Sequence, residues 1–521
     1  MKDSLSPPLP ASAPRSHPDE GRCHGYLLVA LAFVIYLGLL SYRLGEREFW
    51  IDEQITVGHL GEDTIHFDAF HPPGYYHALL VWRGLFGESD AALRAFSVLC
   101  AMIAALFVWL LARQLLPQPY EVLGLWVFVL SPVGLLYFRM ARYFSLTAVV
   151  ALFAAWAAVV AKRQGKPGYV LIALATLHMM WTDFVPLVLM PLLYLWLLPT
   201  AWRRGRERYW WLASAAAPLA LGVWQAERML AQARMVASIP APHPALKQVL
   251  LSLALPFYSA VVGETTDFWR LRIVLPVLVA GIALGGVGLT AAIRNRPCRS
   301  PDLRWLSVLA WPLAVIVAAA VVAVISSEPW PRVVSLCLYA LPFFLFWVVL
   351  GVVRLKRWGW ALLAVLLCGQ LYGVSNYLAR RQFLNPGYNI PWREVNALIQ
   401  ERGHPGDTAV ACFDSTPGRY WIGPVHFHDL VEDRLPPKIP GVRDFPTGDA
   451  VWVIDRDRGS GIAREQTARL IEWLRARTVR EEVYQILPYS AVERHWRSRL
   501  GGHEVPAAAV RIWRFEGAAS R

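Results

Sequence analysis

The stretch GYLLVALAFVIYLGLLSY, residues 25–42, contains no charged side chain. About twenty apolar residues are needed to cross the hydrocarbon core of a bilayer as an α-helix. The length of this run therefore predicts a membrane-spanning helix near the start of the chain. A long polar segment precedes the run, and no small-residue cleavage site follows it. We therefore expect a permanent helix rather than a cleaved secretory signal.

Comparable apolar runs recur along the 521 residues, 56% of which are hydrophobic. Soluble domains contain a smaller apolar fraction, so this composition predicts a polytopic α-helical membrane protein. The mean hydropathy is +0.38. We predict about eleven spans, at residues 25–42, 91–112, 120–138, 144–161, 168–183, 184–201, 209–226, 271–293, 305–325, 333–353 and 359–377. The apolar segment 245–260 contains Pro256, which favours an interfacial or re-entrant segment.

The distribution of basic residues predicts the orientation of these spans. Clusters of Lys and Arg lie at 162–166, 203–206, 294–296 and 354–357, in every second predicted loop. Because short cytoplasmic loops are rich in Lys and Arg, we place the N-terminus in the cytoplasm. An odd number of spans then places the C-terminal part outside a plasma membrane. The net charge of +13 reflects this orientation and contact with anionic membrane lipids, and no basic soluble module suggests nucleic-acid binding.

The chain divides into three predicted parts. Residues 1–24 are rich in Pro, Ser and charged residues, and we expect a disordered cytoplasmic arm. Residues 25–377 form the transmembrane domain, with large outer loops at 43–90 and 227–270. From residue 378 to 521 charged residues become frequent and apolar runs become short. This change of composition predicts a separate domain outside the membrane.

The predicted outer domain alternates between strand-like and helix-like segments. Short apolar segments at 408–413 and 450–454 and the alternating segment 510–515 suggest strands, while 392–401 and 463–476 show helical spacing. Alternation of this kind predicts a small α/β domain. In the first outer loop we also predict a helix that lies on the membrane, at residues 75–87.

The first outer loop concentrates polar residues that can carry chemistry: Asp52, Glu53, Asp68, His71 and Tyr76. A carboxylate held beside the membrane can act as a general base toward an acceptor hydroxyl. Acids at a helix end also simply face water, and the two prolines after His71 can simply stiffen the loop. The concentration in one loop favours chemistry over these simpler interpretations. Glu53 and His71 are also candidates for a divalent metal site (Mg²⁺ or Mn²⁺), although their spacing is not a metal signature.

Several arginines on the predicted outer side break the usual charge trend. They are Arg94, Arg139, Arg142, which Tyr143 follows, and Arg332. A planar guanidinium matches a phosphate in bidentate fashion, so together these arginines suggest binding of an anionic lipid head group. For Arg94 alone, snorkelling to the interface is the alternative. Asp183 either completes the polar site or marks the turn between two spans.

Four sequence runs resemble a known family. They are FWIDEQIT (49–56), FHPPGYYHALLVWRGLFG (70–87), AALRAFS (91–97) and SPVGLLYFRMARYFSL (131–146). These runs resemble bacterial members of the dolichyl-phosphate-mannose–protein mannosyltransferase family. Such enzymes are glycosyltransferases with the GT-C fold, and they are related to the aminoarabinose transferases that modify lipid A. The resemblance is specific up to about residue 160 and diffuse over the later spans.

The resemblance implies an inverting glycosyltransferase with a polyprenyl-phosphate sugar as donor and a hydroxyl on a glycan, lipid or protein as acceptor. The family's acidic residue in the first outer loop falls on Asp52, with Glu53 beside it, so these two would be catalytic. The donor phosphate would be bound by Arg94, Arg142, Tyr143 and Arg332. The substrate pocket would be shaped by Asp68, His71, Tyr76 and Asp183.

Two departures from the family pattern concern the substrate. Met140 stands where relatives carry an acidic residue two positions before the arginine that matches Arg142, and Val333 replaces the usual Tyr after Arg332. The sugar or the acceptor therefore need not be mannose and protein.

Two other classes of function compete with this interpretation. A flippase for a lipid-linked sugar would use the same arginines, but it needs polar residues at mid-membrane and often paired repeats. The spans show neither feature. A scaffold whose outer domain binds a partner leaves the polar residues of the first loop unexplained.

Overall fold

The structure is a computed structural model. It describes residues 18–60, 72–238, 244–294, 304–325, 330–412, 416–430, 450–457, 461–501 and 505–516. The helices of the membrane part are α1 (Pro18–Ser41), α2 (Ile51–His59), α3 (Gly74–Phe86), α4 (Asp90–Leu115), α5 (Tyr120–Val129), α6 (Pro132–Phe138), α7 (Phe144–Gln164), α8 (Lys166–Thr182), α9 (Leu189–Arg203), α10 (Glu207–Ser238), α11 (Leu246–Val261), α12 (Leu271–Ile293), α13 (Arg304–Ile325), α14 (Trp330–Cys337), α15 (Leu341–Leu355) and α16 (Arg357–Leu378). Short 3₁₀ segments lie at Val185–Val188, Leu338–Ala340 and Pro386–Asn389.

The prediction of a polytopic helical membrane protein is confirmed. Within the described ranges, 7 helical segments are long and apolar enough to cross a membrane, or 8 if a bent pair is counted as one span. That pair is α5 and α6, bent by 56°. Every predicted span coincides with a helical segment, and the remaining three spans correspond to α1, α8 and α10.

Three local predictions need correction. Helix α1 begins at Pro18, so residues 18–24 are helical rather than part of a disordered arm, and residues 1–17 lie outside the described residues. The first outer loop contains a helix, α2, that the sequence patterns did not reveal. Helix α11 continues through Pro256, because a proline in a helix is tolerated where packing compensates for the lost hydrogen bond.

Proline and glycine shape the membrane part in two places. Pro132 begins α6, and Ser131 accepts a hydrogen bond from the backbone N–H of Gly134, so the chain turns sharply after α5. Helices α12 and α15 approach closely at Gly288 and Gly351: a Cβ at either position would lie within 2.1 Å of a carbonyl oxygen of the other helix. Small residues allow this backbone contact, which drives helix association in lipid.

The predicted α/β domain at the end of the chain is confirmed. It contains helices α17 (Trp392–Arg402), α18 (Thr416–Arg419), α19 (Gly461–Arg475) and α20 (Ala491–Gly501), and strands β1 (Thr408–Cys412), β2 (His426–Leu430), β3 (Ala450–Arg456), β4 (Arg480–Pro488) and β5 (Ala508–Glu516). The sheet order is β2-β1-β3-β5-β4. Strands β1, β2 and β3 are parallel, while β5 runs antiparallel to β3 and β4.

Alternating side chains of the central strands cover both faces of this sheet. Ala409 and Trp452 pack with α17 on one face, whereas Val410 and Val453 pack with Leu470 of α19 on the other. Since successive residues of a strand point to opposite faces, strands buried on both sides are apolar throughout. This is why the sequence revealed β1 and β3 as apolar segments, whereas β5 was recognised by its alternation and the edge strands β2 and β4 were missed.

Candidate active site

The acidic pair lies in the first turn of α2 rather than in an irregular loop. Helix α2 starts at Ile51, and the backbone N–H of Trp50 donates to Oε2 of Glu53 at 3.4 Å. Acidic residues near a helix N-terminus are stabilised by the helix dipole, which explains why the helix begins here. Because consecutive helical residues point about 100° apart, Asp52 and Glu53 face different surroundings.

Glu53 is enclosed by hydrogen-bond donors. Arg94 donates from Nε to Oε1 and from Nη2 to Oε2, both at 2.8 Å, and the backbone N–H of Ala141 donates to Oε1 at 2.8 Å. The side chains of Glu53 and Arg94 are 2% and 5% exposed. A carboxylate in this environment can neither accept a substrate proton nor bind a metal readily. The geometry therefore contradicts a catalytic or metal-binding role for Glu53.

Arg94 has no donor left for a phosphate. Besides its two bonds to Glu53, it donates from Nη1 to the carbonyls of Leu44 at 3.1 Å and Arg47 at 2.7 Å, and from Nη2 to the carbonyl of Glu48 at 3.1 Å. A guanidinium has five N–H groups, and all five are used. The predicted phosphate-binding role of Arg94 is therefore contradicted. The side chain instead fixes the segment that leads from α1 into α2.

Asp52, unlike the neighbouring Glu53, has an accessible carboxylate. Its side chain is 37% exposed, and its Oδ2 lies 3.8 Å from Nη2 of Arg142. Arg142 is anchored on α2, because its Nη1 donates to the carbonyl of Asp52 at 3.0 Å and to Oγ1 of Thr56 at 2.8 Å. Among the residues that the structure describes, no hydrogen bond reaches the Asp52 carboxylate. This carboxylate is thus accessible to a substrate and lies beside a buried cation.

Three further predicted residues gather around Arg142. Its guanidinium lies 5.1 Å from the ring centre of Tyr143. Tyr76, on α3, is buried and interacts electrostatically with Arg142. Asp183 ends α8, accepts hydrogen bonds from Oγ1 of Thr147 at 3.1 Å and from a backbone N–H, and also lies within electrostatic reach of Arg142. The structure therefore brings residues from four separate segments close to one another.

Other predicted site residues do not join this group. Arg332 is exposed at the start of α14 and shares no hydrogen bond or ion pair with α2 among the described residues. Asp68 and His71 lie outside the described residues, so their predicted roles stay predictions. No group of three or more His, Cys, Asp or Glu side chains among the described residues is arranged to hold a metal.

A third carboxylate, not anticipated from the sequence, lies next to this site. Glu264, in the turn between α11 and α12, is 2% exposed and accepts a hydrogen bond from Tyr137 at 2.8 Å. The hydroxyl of Tyr137 is 3.3 Å from that of Tyr388, whose ring packs edge-on against Trp50 with centroids 4.7 Å apart. Burial raises the pKa of Glu264 to about 8. No periodicity or motif in the second outer loop pointed to this residue.

A small cleft adjoins Glu53 of the acidic pair. It is lined by Leu44, Arg47, Glu48, Trp50, Glu53, Arg94, Leu136, Arg139, Met140, Tyr377 and Tyr388. Asp52 does not line this cleft, although its carboxylate lies within electrostatic reach of Tyr388. Polar and aromatic groups together in a cleft are typical of a binding site for a small polar ligand.

The α/β domain contacts the segment that carries the acidic pair. The hydroxyl of Tyr420 accepts the backbone N–H of Phe49 at 2.7 Å and donates to Oδ2 of Asp90 at 2.8 Å. Arg419 binds Oδ1 of Asp90 through two hydrogen bonds of 3.0 and 2.9 Å. The buried ring of Phe49 lies 4.7 Å from the guanidinium groups of both Arg419 and Arg94. The α/β domain therefore helps to hold α2 in position.

Residues 70–224 match the family model described as dolichyl-phosphate-mannose-protein mannosyltransferase. The match confirms, over this segment, the family resemblance seen in the sequence. It includes α3, α4 and the turn that carries Arg142 and Tyr143, and it begins after Asp52. No curated protein matches the chain.

Solved structures also align with the chain. ArnT from Cupriavidus metallidurans bound to undecaprenyl phosphate is 12% identical, with a TM-score of 0.48 over 96% of this chain and 99% of that one. The same protein in the apo state is 14% identical, with a TM-score of 0.48 over 83% and 93%. The Archaeoglobus fulgidus oligosaccharyltransferase tethered with an acceptor peptide is 12% identical, with a TM-score of 0.44 over 77% and 64%. At these values none of the alignments assigns a function.

Proposed function

We propose that this chain, whose residues 70–224 match a mannosyltransferase family model, is an integral-membrane inverting glycosyltransferase. It transfers a sugar from a polyprenyl phosphate to a hydroxyl group of a cell-envelope glycan, lipid or protein. The site faces the outer side of a bacterial plasma membrane, with the N-terminus in the cytoplasm. The observation that carries the proposal is the accessible Asp52 carboxylate beside the buried Arg142.

In the proposed reaction, Asp52 accepts the proton of the acceptor hydroxyl as the oxygen attacks the anomeric carbon. The bond between that carbon and the phosphate oxygen breaks in the same displacement, so the configuration at the carbon inverts. The leaving group is an anionic phosphate, and it needs no proton. Arg142 stabilises the negative charge that develops there, since a fixed cation in a partly dry site acts strongly on such charge.

We propose different roles for the two members of the acidic pair. Asp52 is the base, whereas Glu53 and Arg94 hold α2 and the preceding segment in place. Tyr143, Tyr76 and Asp183 surround Arg142 and shape the part of the pocket that receives the sugar phosphate. His71 and Asp68 remain candidates for the same pocket.

Asp52→Asn tests this proposal most directly. We expect transfer to fall by about 10²- to 10⁴-fold, the usual contribution of a general base. The thermal unfolding midpoint should stay unchanged, because the Asp52 carboxylate is exposed and makes no hydrogen bond to the described residues. Envelope glycans and lipids from cells that produce either form would be compared by mass spectrometry. Glu394→Gln, at an exposed position of α17, is the matched control.

Wild-type levels of the glycosylated product with Asp52→Asn would overturn the assignment of the base. A flippase is distinguished in proteoliposomes loaded with polyprenyl-phosphate sugar and an extract of envelope acceptors. A flippase moves the lipid between leaflets without forming a glycosidic bond, whereas the proposed enzyme forms the bond and releases polyprenyl phosphate.

A further inference from the structure

Two arginines on the wall of the cleft share one aromatic ring. Arg47 lies in the segment between α1 and α2, and Arg139 directly follows α6. Both guanidinium groups lie over the ring of Tyr377, at 3.9 and 5.2 Å from its centroid. Tyr377 belongs to the last turn of α16. Three distant segments therefore place two positive charges side by side where membrane-crossing helices end.

These two charges are not neutralised by acidic side chains. Nη2 of Arg47 donates to the carbonyl of Tyr377, and Nη2 of Arg139 donates to the carbonyl of Tyr42. Within the described residues, no carboxylate oxygen lies within 4.0 Å of either guanidinium, in contrast to Arg94 and its bidentate partner Glu53. Backbone carbonyls orient a guanidinium but carry no net charge. The pair therefore lacks a compensating anion within this part of the chain.

Arg139 also has an unused donor. Its side chain is 4% exposed, and its Nε has no hydrogen-bond partner among the described residues. A buried charged donor without a partner is destabilising, so this N–H is available to a ligand that can accept a hydrogen bond. Burial, and then the neighbouring guanidiniums of Arg139, Arg94 and Arg380, lower the pKa of Arg47 to about 10. An anion bound between the two side chains would accept a hydrogen bond from Nε of Arg139 and would offset the repulsion between the positive charges.

The arginine pair lies on the walls of two clefts. Arg47 and Arg139 both line the cleft beside Glu53 and also a second one. The second cleft is completed by Tyr42, Arg43, Glu46, Leu378 and Arg380. Tyr42 and Leu378 mark the outer ends of α1 and α16, so an amphipathic ligand can keep its chain in the bilayer while its head group reaches the arginines.

We propose that Arg47 and Arg139 form a binding site for the phosphate group of a lipid. Two sources share this chemistry: the polyprenyl-phosphate donor and a phospholipid of the surrounding membrane. With the donor as ligand, the site rests on the proposed function and takes over the phosphate contact first expected from Arg94. The guanidinium pair would then bind the phosphate in the ground state, while Arg142 stabilises the charge that develops as the bond to the sugar breaks.

Lipid binding to the full-length protein in a neutral detergent tests this inference without requiring turnover. Undecaprenyl phosphate and dioleoyl phosphatidylglycerol are titrated separately and measured by native mass spectrometry. We expect Arg47→Gln and Arg139→Gln each to weaken binding about tenfold, since each removes a charge-assisted hydrogen bond. Arg272→Gln, at an exposed position near the start of α12, should bind like the wild type.

The two lipid arms identify the ligand. Preference for undecaprenyl phosphate that the glutamine variants lose supports the donor, whereas equal, variant-sensitive binding of both lipids supports a general head-group site. Arg47→Lys and Arg139→Lys retain the charge and should bind with intermediate affinity, which separates a binding defect from a folding defect. Wild-type affinity of both glutamine variants for both lipids would overturn the inference.

Asp52→Asn separates this inference from the proposed function. That variant should lose transfer but bind lipid like the wild type. If it stays active while the arginine variants lose lipid binding, the catalytic proposal fails and the phosphate site stands. If it is inactive while the arginine variants bind normally, the phosphate site fails and the catalytic proposal stands.

Discussion

Glu53 and Asp52 are adjacent in the sequence, yet Glu53 is held in a buried ion pair with Arg94, whereas the carboxylate of Asp52 is accessible beside Arg142. Glu53 receives three hydrogen bonds of 2.8 Å and is 2% exposed, whereas the side chain of Asp52 is 37% exposed and lies 3.8 Å from Arg142. A fully satisfied pair fixes the backbone around it, and a loosely engaged carboxylate can exchange a proton. The comparison separates structural from chemical roles within a single helical turn.

Disturbing the buried pair of Glu53 and Arg94 should lower the stability of the protein more than any change at Asp52. Glu53→Gln leaves the buried Arg94 without a counter-charge, and removing one partner of a buried ion pair typically costs about 3–5 kcal/mol. We therefore expect a clearly lower thermal unfolding midpoint in detergent, together with lost transfer. An unchanged midpoint would contradict the structural role of Glu53. Glu394→Gln, which makes the same chemical change at an exposed site, should leave the midpoint unchanged.

Substitutions beside the accessible Asp52 should lower the activity more than the stability. Arg142→Gln removes the cation beside Asp52, and we expect kcat to fall by about 10²- to 10³-fold, the usual effect of losing a donor that stabilises developing charge. Arg142→Lys should be intermediate, because it keeps the charge but loses the planar fork. Steady-state kinetics would distinguish a change in kcat from one in KM. A change confined to KM would place Arg142 in ground-state binding instead.

Glu264 extends the comparison to a carboxylate that is buried without a cation. Burial raises its pKa to about 8, above the ordinary value of 4.5. The unfolded chain therefore releases this proton at lower pH, and stability should fall as pH rises from about 4.5 through about 8. The side chain of Glu264→Gln cannot ionise. The difference between the unfolding midpoint of this variant and that of the wild type should therefore increase in favour of the variant over this pH range and stay constant above it. Parallel midpoint curves for the two proteins between pH 5 and 9 would contradict the shift.

The sequence anticipated the elements better than the contacts of their side chains. All eleven apolar runs proved helical, since each run meets the requirement of a bilayer by its own composition. The first acidic pair and Arg142 were also recognised, because a polar cluster outside the spans stands out against apolar surroundings. Helix α2 was missed, since a helix of nine residues contains too few turns for its periodicity to be distinctive.

Residues that act through distant partners could not be assigned from the sequence. Arg94 had been predicted to bind phosphate, but its partner Glu53 is 41 positions away and uses two of its donors. Glu264 reaches Tyr137 across 127 positions, and Tyr420 reaches Asp90 across 330. Neither pair has a spacing that local periodicity records.

The sequence by itself determined that this chain crosses a membrane many times and that its last part is an α/β domain. These properties depend on short segments, whose own composition sets their transfer free energy and their apolar pattern. Only the tertiary structure decided that Glu53 is buried in an ion pair, that Asp52 is accessible, and that no carboxylate among the described residues pairs with Arg47 or Arg139. Burial and pairing depend on which distant groups meet, and the same arginine or carboxylate changes its role with its neighbours.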